Sequence, residues 1–169
     1  MKRVRLEKYQ LDCVIGIDPG LTGAIAFYAS VDDLMVFDVP SFEATKGKQV
    51  DLQQLVSLFD AALDVYEPKH AFIENVHTMP KQGIASAFKF GKTCGQLEML
   101  IAAFSIPTTL ITPQEWKKEL KVQKHKDNSR LRASQLIPKF SYMWPLKKHH
   151  NRAEAVLIAY YGNLVLRND

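Results

Sequence analysis

Three carboxylates in this 169-residue chain stand where a negative charge is expensive. Asp18 closes the apolar run Cys13-Val14-Ile15-Gly16-Ile17 and is followed by Pro19-Gly20. An acid there either organises the turn, as aspartate often does, or meets a metal or phosphate at the edge of a sheet. Glu74 lies inside Ala71-Phe72-Ile73-Glu74-Asn75-Val76. Burying an ionised carboxylate in such company is costly unless it is paired or binds a cation, so a lysine partner and a metal are its two readings. Glu154 is the acid of an otherwise apolar stretch, Ala153 to Ala159, whose small residues would let one helical turn approach a sheet closely. His150 precedes it by four residues, on the same helical face if the helix extends that far. His149 and Asn151 precede it by five and three. Either histidine could complete a metal site or be an ordinary surface residue.

Carboxylate oxygens suit hard divalent cations, and Mg2+ keeps waters while taking substrate phosphate as a further ligand. Two such ions, Mg2+ or Mn2+, about 4 Å apart can activate a water and stabilise the leaving oxygen of a phosphodiester. Clustered carboxylates repel one another, and bound cations would make such a cluster tolerable. The set therefore suits metal-assisted hydrolysis of a phosphate ester.

Hydrophobic spacing predicts the elements that must position these groups. Strands are expected over 13–17, 24–28 and 34–39, the first two joined as a hairpin by the Asp18-Pro19-Gly20 turn. Residues 41–49 are polar, contain Gly47 and read as a loop. Apolar residues recur at helical spacing from Val50 to Tyr66, with Pro68 closing that helix. A buried strand over 70–76 follows, then a long helix over 84–104 and a fifth strand over 108–111. Pro113 starts a short helix holding Trp116, the basic stretch 117–126 reads as a loop or frayed helix, and helices are expected over 128–137 and 151–166. The order implies an α/β sheet of mixed direction, antiparallel at its start and covered by helices later. One domain over 12–169, with 1–11 as an N-terminal extension, accounts for the length.

Composition sets further bounds. Hydrophobic residues make up 47% and charged residues 24%, an ordinary globular balance rather than a disordered one. Cys13 and Cys94 have no zinc-ligand spacing, and a reducing compartment is expected. No apolar run reaches the length of a membrane span, and the start of the chain lacks the apolar core of a secretion signal. The expected location is the cytoplasm, with no membrane partner. The net charge of +4 is unevenly spread. Residues 1–109 carry 10 basic and 13 acidic side chains, whereas residues 110–152 carry 11 basic and 3 acidic. That segment fits an anionic partner.

The motifs together resemble a known family. Ile15-Gly16-Ile17-Asp18-Pro19-Gly20-Leu21-Thr22-Gly23 is similar to the first active-site strand and turn of RuvC-type Holliday junction resolvases. Phe72 to Val76 resembles their second acidic motif, and Gly83 to Gly95 the long helix after it. Arg152 to Ala159 resembles the last motif, especially in the chloroplast and viral branches. The resemblance spans most of 12–163 in the family order. It implies a ribonuclease H-like fold and a homodimer that nicks two strands of a four-way DNA junction symmetrically, with Mg2+ or Mn2+, two per active site. Asp18, Glu74 and Glu154 correspond to three of the family's four metal-binding acids. The fourth position departs, since the bacterial acid falls on Asn151 and the chloroplast-like one on His149; His149 or His150 is the implied substitute.

The resemblance also gives the basic segment a role. Lys117 matches a lysine near the resolvase active site, where a compact positive charge could hold the scissile phosphate or stabilise its transition state. Lys126 aligns with a second such lysine. Lys118, Lys121, Lys124, Arg130 and Arg132 would contact phosphates without reading bases. His77, Met79, Lys81 and Gln82 resemble the loop that enters the junction, and an apolar side chain such as Met79 could wedge there. The helix from Ile84 could supply the dimer face. Asp-Pro-Gly-Leu-Thr-Gly also resembles a phosphate loop of actin-like ATPases and sugar kinases, but those folds need two domains, for which 169 residues leave no room. A nuclease of the same fold acting on forks, flaps or RNA–DNA hybrids, and a non-catalytic junction-binding protein, are the other readings.

Overall fold

The run that ends in Asp18 is the middle strand of the main sheet. The computed structural model describes residues 9–76, 83–123 and 126–168. In chain order its elements are β1 (Leu11–Asp18), β2 (Ala24–Ser30), β3 (Asp33–Asp38), β4 (Ser41–Ala44), β5 (Gly47–Val50), α1 (Leu52–Ala62) and β6 (Tyr66–Glu74). Then come α2 (Ile84–Ala103), β7 (Thr108–Ile111), α3 (Pro113–Glu119), α4 (Lys126–Leu136), two short 3-10 turns, and α5 (His150–Asn168). Five strands form one sheet in the order β3-β2-β1-β6-β7. The first three are antiparallel neighbours, and β6 and β7 run parallel to β1. The expected mixed five-stranded α/β sheet is therefore the observed one.

Both faces of the sheet are covered. On one side α1 and α2 pack Leu55, Phe59, Leu97 and Ile101 against Ile15, Ile17 and Ile73. On the other, α3, α4 and α5 pack Trp116, Ala133 and Val156 to Ala159 against Val14, Ala26 and Phe72. Alternate side chains of β1 enter opposite cores, as the two-residue period of a strand requires. Each large aliphatic side chain removed from water in this way contributes roughly 1.5–3 kcal/mol.

Two local expectations are corrected. Residues 41–49 are not a loop but the β4–β5 hairpin, which pairs Ser41 with Val50 and turns at Thr45 and Lys46. Its polar sequence reflects a small two-stranded sheet with little core to cover. Pro68 does not close a helix; α1 ends at Ala62, and Pro68 lies within β6. Proline cannot donate to a ladder. The β1–β6 register accordingly shifts there, from Cys13 opposite Pro68 to Val14 opposite His70, and β7 pairs only with Ala71 to Glu74. Within the basic stretch, Lys117 to Glu119 are helical. No helix among the described residues is long and apolar enough to cross a membrane.

Candidate active site

Register brings the first two acids together. Ile17 of β1 lies opposite Ile73 of the parallel β6, so the next residues of the two strands are Asp18 and Glu74. Both close their strands at the same edge of the sheet, and both are only 7% exposed. The turn after Asp18 is tight: a side chain at Gly23 would lie 2.1 Å from the Asp18 carbonyl oxygen. The Asn151 amide donates to the Thr22 carbonyl and ties this turn to α5.

The third acid arrives on α5, through a contact only glycine permits. A Cβ at Gly16 would stand 2.2 Å from the Ala155 carbonyl oxygen and 2.3 Å from the Ala159 nitrogen. The helix therefore rests directly on the β1 backbone, and Glu154 adjoins the residue in contact. The charges feel one another. Burial, then repulsion from Glu154 and Glu74, pushes the Asp18 carboxyl well above the usual carboxylate range, with Lys117 opposing. Burial likewise raises Glu74; the Trp116 hydrogen bond and Lys117 oppose that rise, and Glu154 adds to it.

Three further side chains hold the acids. The Trp116 indole Nε1 donates to Glu74 Oε1 at 2.8 Å. Lys117 Nζ lies 3.0 Å from Glu154 Oε1, and Ser129 Oγ donates to that oxygen at 2.8 Å. The helix carrying Trp116 and Lys117 starts just past the β6–β7 edge, where Glu74 pairs with Ile111. Thr112 caps it, with Pro113 at its first turn and the Glu115 carboxylate accepting from the Thr112 backbone N–H at 2.6 Å. Strand end, capping box and first turn thus set Trp116 under Glu74. Trp116 and Ser129 escape a search for charged residues. The only sequence signal for Trp116 is its place beside Lys117, and Ser129 carries none.

The donor chemistry of Asp18, Glu74 and Glu154 fits a hard divalent cation: all offer oxygen, and two are buried at a cost that a positive charge would relieve. Among the described residues no three His, Cys, Asp or Glu side chains are gathered as a closed metal-binding group. The histidines have other partners. His149 Nδ1 accepts from the Leu146 backbone N–H at 3.4 Å, and His150 Nδ1 lies 3.2 Å from the Lys147 carbonyl oxygen. Asn151, at the other fourth-ligand position, holds the Thr22 turn.

The predicted DNA contacts divide. Lys118 and Lys121 are exposed. Arg130 is committed to the fold, donating to the carbonyls of Trp144 at 2.9 Å and Pro145 at 2.6 Å and pairing with Asp127 at 3.1 Å. Arg132 likewise donates to the Leu120 carbonyl at 2.6 Å. His77, Met79, Lys81, Gln82 and Lys124 lie outside the described residues, as does the side chain of Lys126.

The sheet order, the helices on both faces and acids at the ends of adjacent central strands define a ribonuclease H-like α/β fold. Among solved structures the chain is similar to Thermus thermophilus RuvC in complex with a Holliday junction substrate, at 18% identity and a TM-score of 0.58, covering 92% of this chain and 95% of that one. It is also similar to a second Thermus thermophilus RuvC structure, at 19% identity and a TM-score of 0.54, covering 92% and 96%. The yeast mitochondrial Holliday junction resolvase Ydc2 is similar at 17% identity and a TM-score of 0.55, covering 90% of this chain and 78% of that one. No family model and no curated protein matches the sequence. At these identities the likeness establishes a common fold.

Proposed function

We propose that this chain is a structure-selective DNA endonuclease that resolves four-way junctions by metal-dependent, paired phosphodiester hydrolysis. The observation that carries this reading is Asp18 beside Glu74 at one sheet edge, within electrostatic reach of Glu154 and Lys117. The fold shared with resolvases over nine-tenths of the chain supports it. Asp18, Glu74 and Glu154 would hold Mg2+ or Mn2+, two per site, with His149 or His150 as a further ligand. Bound there, the ions would activate a water and polarise the phosphate. Trp116 fixes the Glu74 carboxylate, and Ser129 fixes that of Glu154. Lys117, partly exposed and resting on Glu154, is close enough to turn toward an incoming phosphate and stabilise its developing charge.

Two strands are cut by two copies. The C-terminal half of α2, with Met99 exposed and open space over Gly95, offers a surface for a second copy of the chain beyond the turn that carries Phe88. A two-fold dimer would match the symmetry of a four-way junction. Lys118 and Lys121 would hold phosphates, and the working compartment would be the one that contains DNA. The loop with Met79 and Lys81, together with Lys124 and Lys126, is proposed to complete the DNA surface.

The test incubates the protein with a four-way junction, a fork, a linear duplex and an RNA–DNA hybrid, in Mg2+ or Mn2+. Paired symmetric nicks confined to the junction are expected. Cutting should fall at least 100-fold in Asp18→Asn and Glu74→Gln while junction binding persists, an order typical of lost charge stabilisation. Tight binding without nicks in either metal would sink the nuclease reading. It would favour a non-catalytic junction-binding protein, the alternative that the backbone engagement of His149 and His150 supports.

A further inference from the structure

The charge count along the chain places the basic surface in residues 110–152, yet the fold builds a second one from the acidic part. The β4–β5 hairpin leans toward α2, and between them lies a cleft of about 500 Å³. This is a size typical of ligand pockets, roughly 300–1,000 Å³. Lys46 and Lys48 line it from the hairpin, and Lys89 and Lys92 from successive turns of α2. Of the residues lining the cleft one is an acid, Asp51, whose carboxylate accepts the Gln54 N–H at the start of α1; a second, Glu43, lies across the hairpin from Lys48 outside that lining. None of the four lysines takes part in an ion pair among the described residues. Lys89 Nζ instead donates to the Lys46 carbonyl at 3.0 Å and fastens the hairpin to the helix.

The walls are apolar and aromatic. Phe42 is 49% exposed and Phe88 is 73% exposed, one from each side of the cleft. Cations that follow a backbone, alternating with aromatic faces open to solvent, are what an unpaired nucleic-acid strand requires: phosphates meet ammonium groups while bases stack. A duplex hides its base faces and would leave both rings unused. The cleft also adjoins the catalytic edge. Leu21, three residues after Asp18, lines it, and the Phe90 ring of α2 lies beside Gly20.

We propose that the cleft between the β4–β5 hairpin and α2 is a binding site for an unpaired DNA strand, held at its phosphates by Lys46, Lys48, Lys89 and Lys92 and stacked on Phe42 and Phe88. The inference rests on the DNA-cutting function proposed for the carboxylate site. It adds a surface on the α2 side of that site, away from the basic segment.

Binding of a four-way junction and of a short fluorescent oligothymidylate is measured by anisotropy between about 50 and 200 mM salt. Lys48→Ala/Lys92→Ala changes two exposed side chains and spares the Lys89 bond; circular dichroism and melting confirm the fold. Losing two phosphate contacts should make the oligothymidylate salt slope shallower by about 1.4, at ~0.7 per single-strand phosphate. Phe42→Ala should weaken oligothymidylate binding roughly 5- to 150-fold, the loss of one stacked base. A wild-type protein that binds neither probe refutes the DNA function and the cleft with it. A wild type that binds both, with variants unchanged in slope and affinity, overturns the cleft alone. Unchanged slopes with an altered oligomeric state would mark the cleft as a contact between copies and also overturn the proposal.

Discussion

Asp18 and Glu74, both buried at strand ends and both raised by that burial, differ in their partners. Glu74 has a donor in Trp116, while Asp18 is raised by burial and by two like charges. An acid raised in the folded chain binds its proton more tightly there than when unfolded. Its ionisation therefore costs stability, a cost absent well below the ordinary value of about 3.9 and growing until pH passes the folded value. Without divalent cations, the protein should melt higher at mildly acidic pH than at pH 7 as far as Asp18 governs it. Asp18→Asn should melt higher than wild type at pH 7, with the gap closing toward pH 4. Melting curves across that range in chelator check this; a variant that melts lower at pH 7 would mean that the carboxylate is a structural turn residue. Trp116→Phe should cost roughly 1–3 kcal/mol, because it strips a buried carboxylate of its donor. An unchanged denaturant midpoint would show that water replaces the indole.

At the scale of elements, the site depends on how close α5 lies to β1. Gly16 makes that approach possible, and Gly16→Ala would drive a methyl group into the Ala155 and Ala159 backbone. Backbone cannot yield as a flexible side chain can, so the expected cost is about 3 kcal/mol or more, above ordinary overpacking. Equilibrium unfolding measures it, and a loss under about 1 kcal/mol would mean that the helix is free to slide. Most elements were legible in the sequence because their signals are local. The apolar runs of β1 and β6 and the helical spacing of α1 and α5 set their types without reference to neighbours. The β4–β5 hairpin was not legible, since its polar strands bury almost nothing. Pro68 misled for a related reason: proline usually breaks regular structure, but a strand tolerates it where register slips and no further strand pairs.

For the whole molecule, the arrangement of charge outweighs its total. The surplus in residues 110–152 is not uniformly available to a ligand, because Arg130 donates to two backbone carbonyls and Asp127, and Arg132 to one carbonyl and Gln135. Lys118→Ala/Lys121→Ala should therefore flatten the salt dependence of junction binding by about 1.8, at ~0.9 per duplex phosphate, with little change in melting. Arg130→Ala should do the reverse, costing roughly 1.5–3 kcal/mol of stability, as expected for hydrogen bonds from a charged group. Anisotropy titrations and unfolding curves on the same two variants separate the roles. A flattened slope for Arg130→Ala at unchanged stability would restore it to the DNA surface.

By itself the sequence determined which residues carry charge in apolar surroundings, the main elements and the mixed sheet. These follow from short-range periodicity and from the cost of burying a carboxylate, which hold wherever the segment lies. Tertiary structure alone decided that strand register is what sets Asp18 beside Glu74, that Trp116 and Ser129 hold the acids, and that two arginines serve the fold. It also decided that lysines 41 or more residues apart share one cleft. Strand register and helix approach fix those distances. Both are settled by many contacts between segments far apart in the chain, and no local pattern encodes them.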